Sequence, residues 1–151
     1  MKQEQECIFC DFVQKKKNHH RDKYPFQILH EMKHSISFLS IDFPATEDGP
    51  VLVIPKKHFE SLEDIPPTIQ SDLIKHVSLI SQALRIKNDG NNVLLNNGKA
   101  AGQFVFHTHF HIIPRNAKDN IKIEVWKRKN LSTDGFKKLH IKIQKEIKKV
   151  L

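Results

Sequence analysis

The sequence predicts an α+β fold built on an antiparallel sheet. Short apolar runs bounded by turn residues lie on both sides of one strongly periodic amphipathic stretch. Strands, helix, strands and helix therefore follow one another, without the regular alternation of a βαβ chain. The 151 residues, 38% of them apolar and 28% charged, set the scale at one domain with one core.

The elements follow in order. Cys7 to Gln14 is short and apolar, and Lys15 to Lys23 is a polar loop. Phe26 to Glu31 and Ser35 to Ile41 read as two strands joined at Met32 to His34 in a hairpin. Ala45 to Pro50 is turn-rich. Val51 to Ile54 is a continuous apolar run stopped by Pro55, as in a buried strand. After Pro66 and Pro67, which suit a first helical turn, apolar residues fall at Ile69, Leu73, Val77, Ile80 and Leu84. Asn88-Asp89-Gly90 supplies that helix with a stop. Asn92 to Leu95 reads as a strand and Asn96-Asn97-Gly98 as a turn. Phe104 to Ile113 is the longest strand candidate, closed by Pro114, and Lys122 to Trp126 is a further short one. A last amphipathic helix places Phe136, Leu139, Ile143, Ile147 and Val150 on one face and lysines on the other. No internal repeat or linker interrupts this order, so residues 1–151 are expected to form a single domain with 116–151 as its lysine-rich extension.

Composition excludes several classes. No apolar run approaches the ~20 residues of a spanning helix, and Met1 to Glu6 offers no apolar region of a secretory signal. The expectation is a soluble, cytoplasmic protein without a membrane partner. The net charge is +8, and Lys118 to Leu151 carries eleven Lys or Arg against four Asp or Glu. A basic face of this kind attracts anions, nucleotides and nucleic acid included, and equally suits the solvated side of a terminal helix. Trp126 apart, it lacks the interleaved aromatics of a single-strand stacking platform.

Cys7 and Cys10, in Cys-Ile-Phe-Cys, are the only two cysteines, too few for a disulfide framework. Half of a zinc site, a redox motif and two small buried hydrophobes all remain open. Nothing upstream reads as the strand of a thioredoxin-like arrangement. A metal would need two further ligands, and the chain has ten histidines.

The most informative stretch is Phe106-His107-Thr108-His109-Phe110-His111-Ile112-Ile113. On a strand His107, His109 and His111 would share one face, neighbours standing ~6.5–7 Å apart, with apolar residues mostly on the other. A single strand histidine is more often a hydrogen-bonded core residue than a ligand, but packing gives no reason to place imidazole there three times. The outer pair, at ~13 Å, cannot easily converge on one ion. The pattern therefore favours a division of labour between a metal ligand and a nucleophilic or acid–base histidine.

These residues resemble the signature of the histidine-triad (HIT) superfamily of nucleotide hydrolases and transferases. The resemblance extends through Cys-Ile-Phe-Cys, Phe38-Leu39-Ser40-Ile41, the run from Gly49 to His58, Asn96-Asn97-Gly98, Gly102-Gln103 and Pro114-Arg115, and covers roughly Cys7 to Arg115. It implies a HIT-like fold, a five-stranded antiparallel sheet with packed helices, paired into a homodimer. It implies that His109 attacks the α-phosphorus of a nucleotide and that water releases the nucleoside monophosphate from the resulting nucleotidyl-histidine. His111 would donate to the phosphate, and Asn96 and Gln103 would make ligand or loop contacts. Ile8, Phe9, Phe12, Phe38 and Ile41 would enclose the base, with Ser40 at the ribose. Zinc-bearing relatives imply that Cys7, Cys10, His58 and His107 hold one structural zinc per chain, with no open coordination position.

Three positions depart from the family. Ser40 stands where many relatives carry a ribose-gripping Asp, with Asp42 two residues on. Phe104 stands where relatives place a Ser or Thr whose hydroxyl assists at the phosphate or leaving group. Asp48-Gly49-Pro50 replaces the usual Pro-Gly-His. The expected function is hydrolysis of a nucleoside phosphoramidate, dinucleoside polyphosphate or nucleotidyl conjugate. The rivals are a non-catalytic nucleotide-binding protein on the same fold and a hydrolase of nucleic-acid-linked adenylates, with thiol redox chemistry last.

Overall fold

A computed structural model describes residues 6–20, 24–41, 46–123 and 130–151. It forms two compact units, Met1–Ile121 and Lys122–Leu151. The first contains a five-stranded antiparallel sheet. Its strands are β1 (Ile28–Glu31), β2 (Ser35–Leu39), β3 (Val51–Pro55), β4 (Gly90–Leu95) and β5 (Phe110–Arg115), in the order β1-β2-β3-β5-β4. The antiparallel α+β expectation holds.

Two helices cover the two faces. The short α1 (Ile8–Val13) brings Phe9 and Phe12 onto Ile36, Phe38, Leu52 and Ile54 of β2 and β3. The long α2 (Pro67–Leu84) sets Leu73, Val77 and Ile80 against Val51, Val53, Phe110 and Ile112 on the other face. Strand alternation makes this division: odd positions of β3 meet α2 and even positions meet α1. The helical spacing read between Ile69 and Leu84 is thus the α2 core stripe. Pro67 occupies the first turn as expected, and the Asn88 amide donates to the Leu84 carbonyl at 2.7 Å, closing the helix.

A polar chain also ties α2 to β2. His76 is fully buried. Its Nδ1 lies 2.8 Å from Ser35 Oγ and its Nε2 lies 3.2 Å from Ser37 Oγ, while Ser35 Oγ donates to Asp72 Oδ2 at 2.7 Å. Since the carboxylate can only accept, Ser35 Oγ accepts from His76 Nδ1–H, while the Ser37 hydroxyl donates to the His30 carbonyl at 3.3 Å.

One expected strand is shorter and displaced. The alternating stretch from Phe104 becomes strand only at Phe110 and runs on through Pro114 to Arg115. Before Phe110 the backbone turns: His107 N–H donates to the Val105 carbonyl at 2.9 Å and Thr108 N–H to that of Phe59 at 2.6 Å. Pro114 is tolerated inside β5 because the pairing with β3 ends at Val51 opposite Ile112. Cys7 to Gln14, left without an element by the sequence, contains α1. Lys122 and Ile123 are not in a strand, and the remainder of the strand expected through Trp126 lies outside the described residues, as does Asp42. In the second unit α3 (Thr133–Lys148) confirms the terminal amphipathic helix, with the Ser132 side chain capping it by accepting from Gly135 N–H at 3.1 Å.

Candidate active site

The turn before β5 separates the three histidines. His107 swings to the Cys-Ile-Phe-Cys segment, while His109 and His111 remain together, with ring centroids 4.9 Å apart. That is closer than two alternate positions on a regular strand. Three imidazoles in one row was therefore an incorrect geometry, because the chain leaves the extended conformation at Val105–His107.

His107 is fully buried, and its Nε2 lies 2.9 Å from the Pro55 carbonyl oxygen. A carbonyl only accepts, so Nε2 carries the proton and the Nδ1 lone pair faces away from it. That lone pair meets Cys7 Sγ at 3.5 Å and Cys10 Sγ at 3.6 Å, and Cys10 Sγ lies 3.3 Å from His58 Nδ1. All four donor atoms of Cys7, Cys10, His58 and His107 fall within 4.8 Å of one another. A tetrahedral zinc with Zn–S near 2.3 Å and Zn–N near 2.0–2.1 Å sets sulfur and nitrogen ligands about 3.6 Å apart. The cluster can hold such an ion, with the Pro55 carbonyl orienting a ligand imidazole from behind. Burial and the adjacent Cys7 push the Cys10 thiol up to about 12, so two thiolates side by side require a compensating cation.

His109, also buried, is held by a contact of 2.6 Å between its Nδ1 and the His107 carbonyl oxygen. By the same reasoning Nδ1 carries the proton and Nε2 keeps its lone pair. Burial lowers its pKa below the ordinary 6.5, opposed in part by that carbonyl. His111 is pushed down to about 4 by burial and by His109. Both rings are neutral near pH 7, and the fixed tautomer of His109 gives its Nε2 the lone pair that a nucleophilic imidazole needs.

Phe9 lies edge-on to both His107 and His109, with centroids 5.8 and 5.4 Å away, so α1 joins the cluster to the histidine pair. A cavity of about 140 Å³ opens beside it, bounded by Ile8, Phe9, Phe12 and Phe38, with Ser40 and Ile41 at one side and Phe104 at another. The six apolar and ribose-side residues expected from the sequence thus line one space. Phe104 is 77% exposed and also borders a second cavity of about 260 Å³ next to Cys7 and His58.

Asn96 and Gln103 fall in the loop that carries the chain from β4 to β5. The Gln103 amide donates to the carbonyls of Glu60 and Val105 at 2.8 and 3.2 Å, and its oxygen accepts from Gly98 N–H at 2.7 Å. Asn96 Nδ2 reaches the Gly102 carbonyl at 3.4 Å. Gly98 and Gly102 have φ of 89° and 83°, the left-handed region that favours glycine. Sequence reasoning missed His20, which is buried and lines the same cavity. It stands in a polar stretch with no apolar periodicity to mark it.

The sheet, the two-faced helical cover and the paired histidines beside a Cys₂His₂ cluster define a histidine-triad architecture. The HIT domain family matches residues 21–118, and the chain belongs to that family. It is similar to an adenosine 5'-monophosphoramidase of Saccharomyces cerevisiae, 36% identical over 89% of this chain and 78% of that protein. Among solved structures, a member of the HIT family of proteins from Bacillus subtilis superposes with a TM-score of 0.79 at 32% identity, covering 93% of this chain and 96% of that one. A zinc-bound histidine triad family protein from Mycobacterium smegmatis superposes with a TM-score of 0.65 at 34% identity, covering 81% and 84%. Among the described residues no helix is long and apolar enough to cross a membrane.

Proposed function

We propose that the chain is a nucleotide hydrolase that releases a nucleoside monophosphate from a phosphoramidate, dinucleoside polyphosphate or nucleotidyl conjugate by way of His109. The observation that carries this reading is the 2.6 Å contact from His109 Nδ1 to the His107 carbonyl. It holds the Nε2 lone pair ready, and as that nitrogen attacks phosphorus it stabilises the positive charge arriving on the ring. The phosphorus–leaving-group bond breaks with its electron pair going to the leaving group, which takes up a proton. Water then attacks the nucleotidyl-histidine, gives up a proton, and returns neutral His109 with the monophosphate. His111, beside His109, donates a ring N–H to a phosphate oxygen.

In this reading Ile8, Phe9, Phe12, Phe38 and Ile41 enclose the base and Ser40 faces the ribose. Asn96 and Gln103 hold the loop ahead of the histidines. Cys7, Cys10, His58 and His107 hold one zinc, whose chemistry is structural: it fixes α1 to the residue preceding Thr108. The active form is a cytoplasmic homodimer, and 116–151 is an extension of the same domain. Relatives named as an adenosine 5'-monophosphoramidase and an adenylylsulfatase support the hydrolase class.

The exposed Phe104, which brings no hydroxyl to the phosphate, favours a second reading: a nucleotide-binding protein without turnover. The lysine-rich α3 favours nucleic-acid-linked adenylates as substrates. Release of monophosphate from an adenosine phosphoramidate, a dinucleoside polyphosphate and an adenylylated oligonucleotide, by wild type and His109→Ala, tests these together. Turnover by wild type that vanishes in the variant is expected. Nucleotide binding without turnover of any of the three would replace the enzyme with the binding protein. Turnover that survives in the variant would remove His109 from the chemistry.

A further inference from the structure

The helix α3 buries none of its 16 residues. At about 100° per residue, Phe136, Leu139, Ile143 and Ile147 fall within about 80° of one another around its axis and make one apolar stripe. That stripe is open: Phe136 is 64% exposed, Leu139 44%, Ile143 49% and Ile147 50%. Lys137 and Lys148 border it on one side and Lys142 on the other, while Lys138 and Lys145 lie opposite, with Ile141 among them. Both acidic residues of the helix are already paired, Asp134 with Lys138 at 2.8 Å and Glu146 with Lys149 at 2.7 Å. Lys137, Lys142, Lys145 and Lys148 form no ion pair with any described residue, so the helix presents an apolar stripe between rows of unneutralised cations.

Two requirements must be met by whatever covers this face: it must take apolar side chains out of water, and it must carry negative charge beside them. A nucleic acid meets only the second, since its phosphates would engage the lysines and leave Phe136 and Ile143 in water. A second α3 meets only the first, since stripe-to-stripe packing would bring Lys137, Lys142 and Lys148 alongside the same lysines of the other copy. An anionic bilayer surface meets both. Its acyl–headgroup boundary accepts the stripe, and the long lysine stems reach back to the charged headgroups. We infer that α3 seats this chain on anionic lipid bilayers, with Phe136, Leu139, Ile143 and Ile147 in the interface and the bordering lysines on the headgroups. The helix would lie in the plane of the interface, which requires no spanning length, and the hydrolase reading neither supplies this contact nor depends on it.

The test is co-sedimentation of the full chain with vesicles of phosphatidylcholine alone and of equal parts phosphatidylcholine and phosphatidylglycerol. Wild type is compared with an Ile143→Ala/Ile147→Ala variant and a Lys142→Gln/Lys145→Gln variant. Alanine is the better helix former, so a loss in the first variant reports the missing apolar surface and not an unfolded helix. Wild type is expected to bind the anionic vesicles about tenfold or more tightly than the neutral ones, and less tightly as salt is raised. Each variant should weaken that binding by about tenfold. Absence of binding to anionic vesicles, or binding unchanged by the alanine pair, would overturn the inference. Tighter binding to a DNA duplex than to the vesicles, indifferent to the alanine pair, would assign α3 to nucleic acid instead. Self-association of the full chain that the alanine pair abolishes, without vesicle binding, would assign it to a second copy.

Discussion

His109 Nδ1 sits 2.6 Å from the carbonyl oxygen of His107, so one triad residue fixes the tautomer of the next through its backbone. The same His107 turns its ring to the two cysteines and donates from Nε2 to Pro55. One residue thus connects the Cys₂His₂ cluster to His109 without lending His109 a side chain.

Because burial holds His109 below its ordinary 6.5, its neutral, nucleophilic form persists into mildly acidic solution. Activity should stay on the plateau as pH falls from about 8 past 6.5, and the acid limb of kcat/KM should lie under 6.5. A pH–rate profile checks this, and a midpoint at or above 6.5 would refute it. His109→Ala should lose about 10⁴-fold or more in kcat, as removal of a nucleophile does.

The cluster leads to an expectation about metal. Mass spectrometry of the purified chain should find one zinc per chain, and Cys10→Ser should abolish it. Because α1 carries both Cys10 and the pocket residues Phe9 and Phe12, loss of the metal should lower the melting temperature. It should also raise KM more than it lowers kcat. Zinc-free protein with unchanged stability and KM would dissociate the cluster from the site.

Phe104 gives a gain-of-function test. It is exposed at the mouth of the cavity and brings no hydroxyl to the phosphate. Phe104→Ser should raise kcat on an adenosine phosphoramidate by about tenfold or more, since one transition-state hydrogen bond is worth 10²-fold in favourable cases. An unchanged or lower kcat would show that this position does not limit turnover.

How far the sequence foretold the structure depends on the kind of signal each segment carries. Leu73, Val77 and Ile80 repeat over several turns, and Val51 to Ile54 form an unbroken apolar run, so α2 and β3 were legible. α1 was not, because six residues are too few for a period. Its helical turn is set by what surrounds it, with Phe9 and Phe12 buried against β2 and Cys7 and Cys10 turned to the histidines. The alternation from Phe106 to His111 was legible as chemistry and misleading as geometry. Its period of two persists in the letters although the backbone turns at His107, where Phe59 captures the amide of Thr108. His20 gave no signal, since only the packing of its loop puts it beside Phe12 and Phe38.

The His76 chain gives the last prediction. Burial, assisted by His30, drives His76 from 6.5 down to about 4, against the opposing pull of Asp72. In the neutral ring Nδ1–H donates to Ser35, which donates to Asp72, and Nε2 lies buried 3.2 Å from Ser37 Oγ. The folded state therefore takes up this proton less readily than the unfolded chain. The stability contributed is complete above about pH 6.5 and is lost progressively as pH falls toward 4. In denaturant titrations wild type should lose about 2 kcal/mol more than His76→Gln between about pH 7 and 4.5, a part of what the full shift allows. The comparison with the variant is needed because His107 and His111 are also pushed down to about 4 and contribute acid sensitivity to both proteins. Parallel pH profiles for the two proteins would show that His76 does not carry the effect.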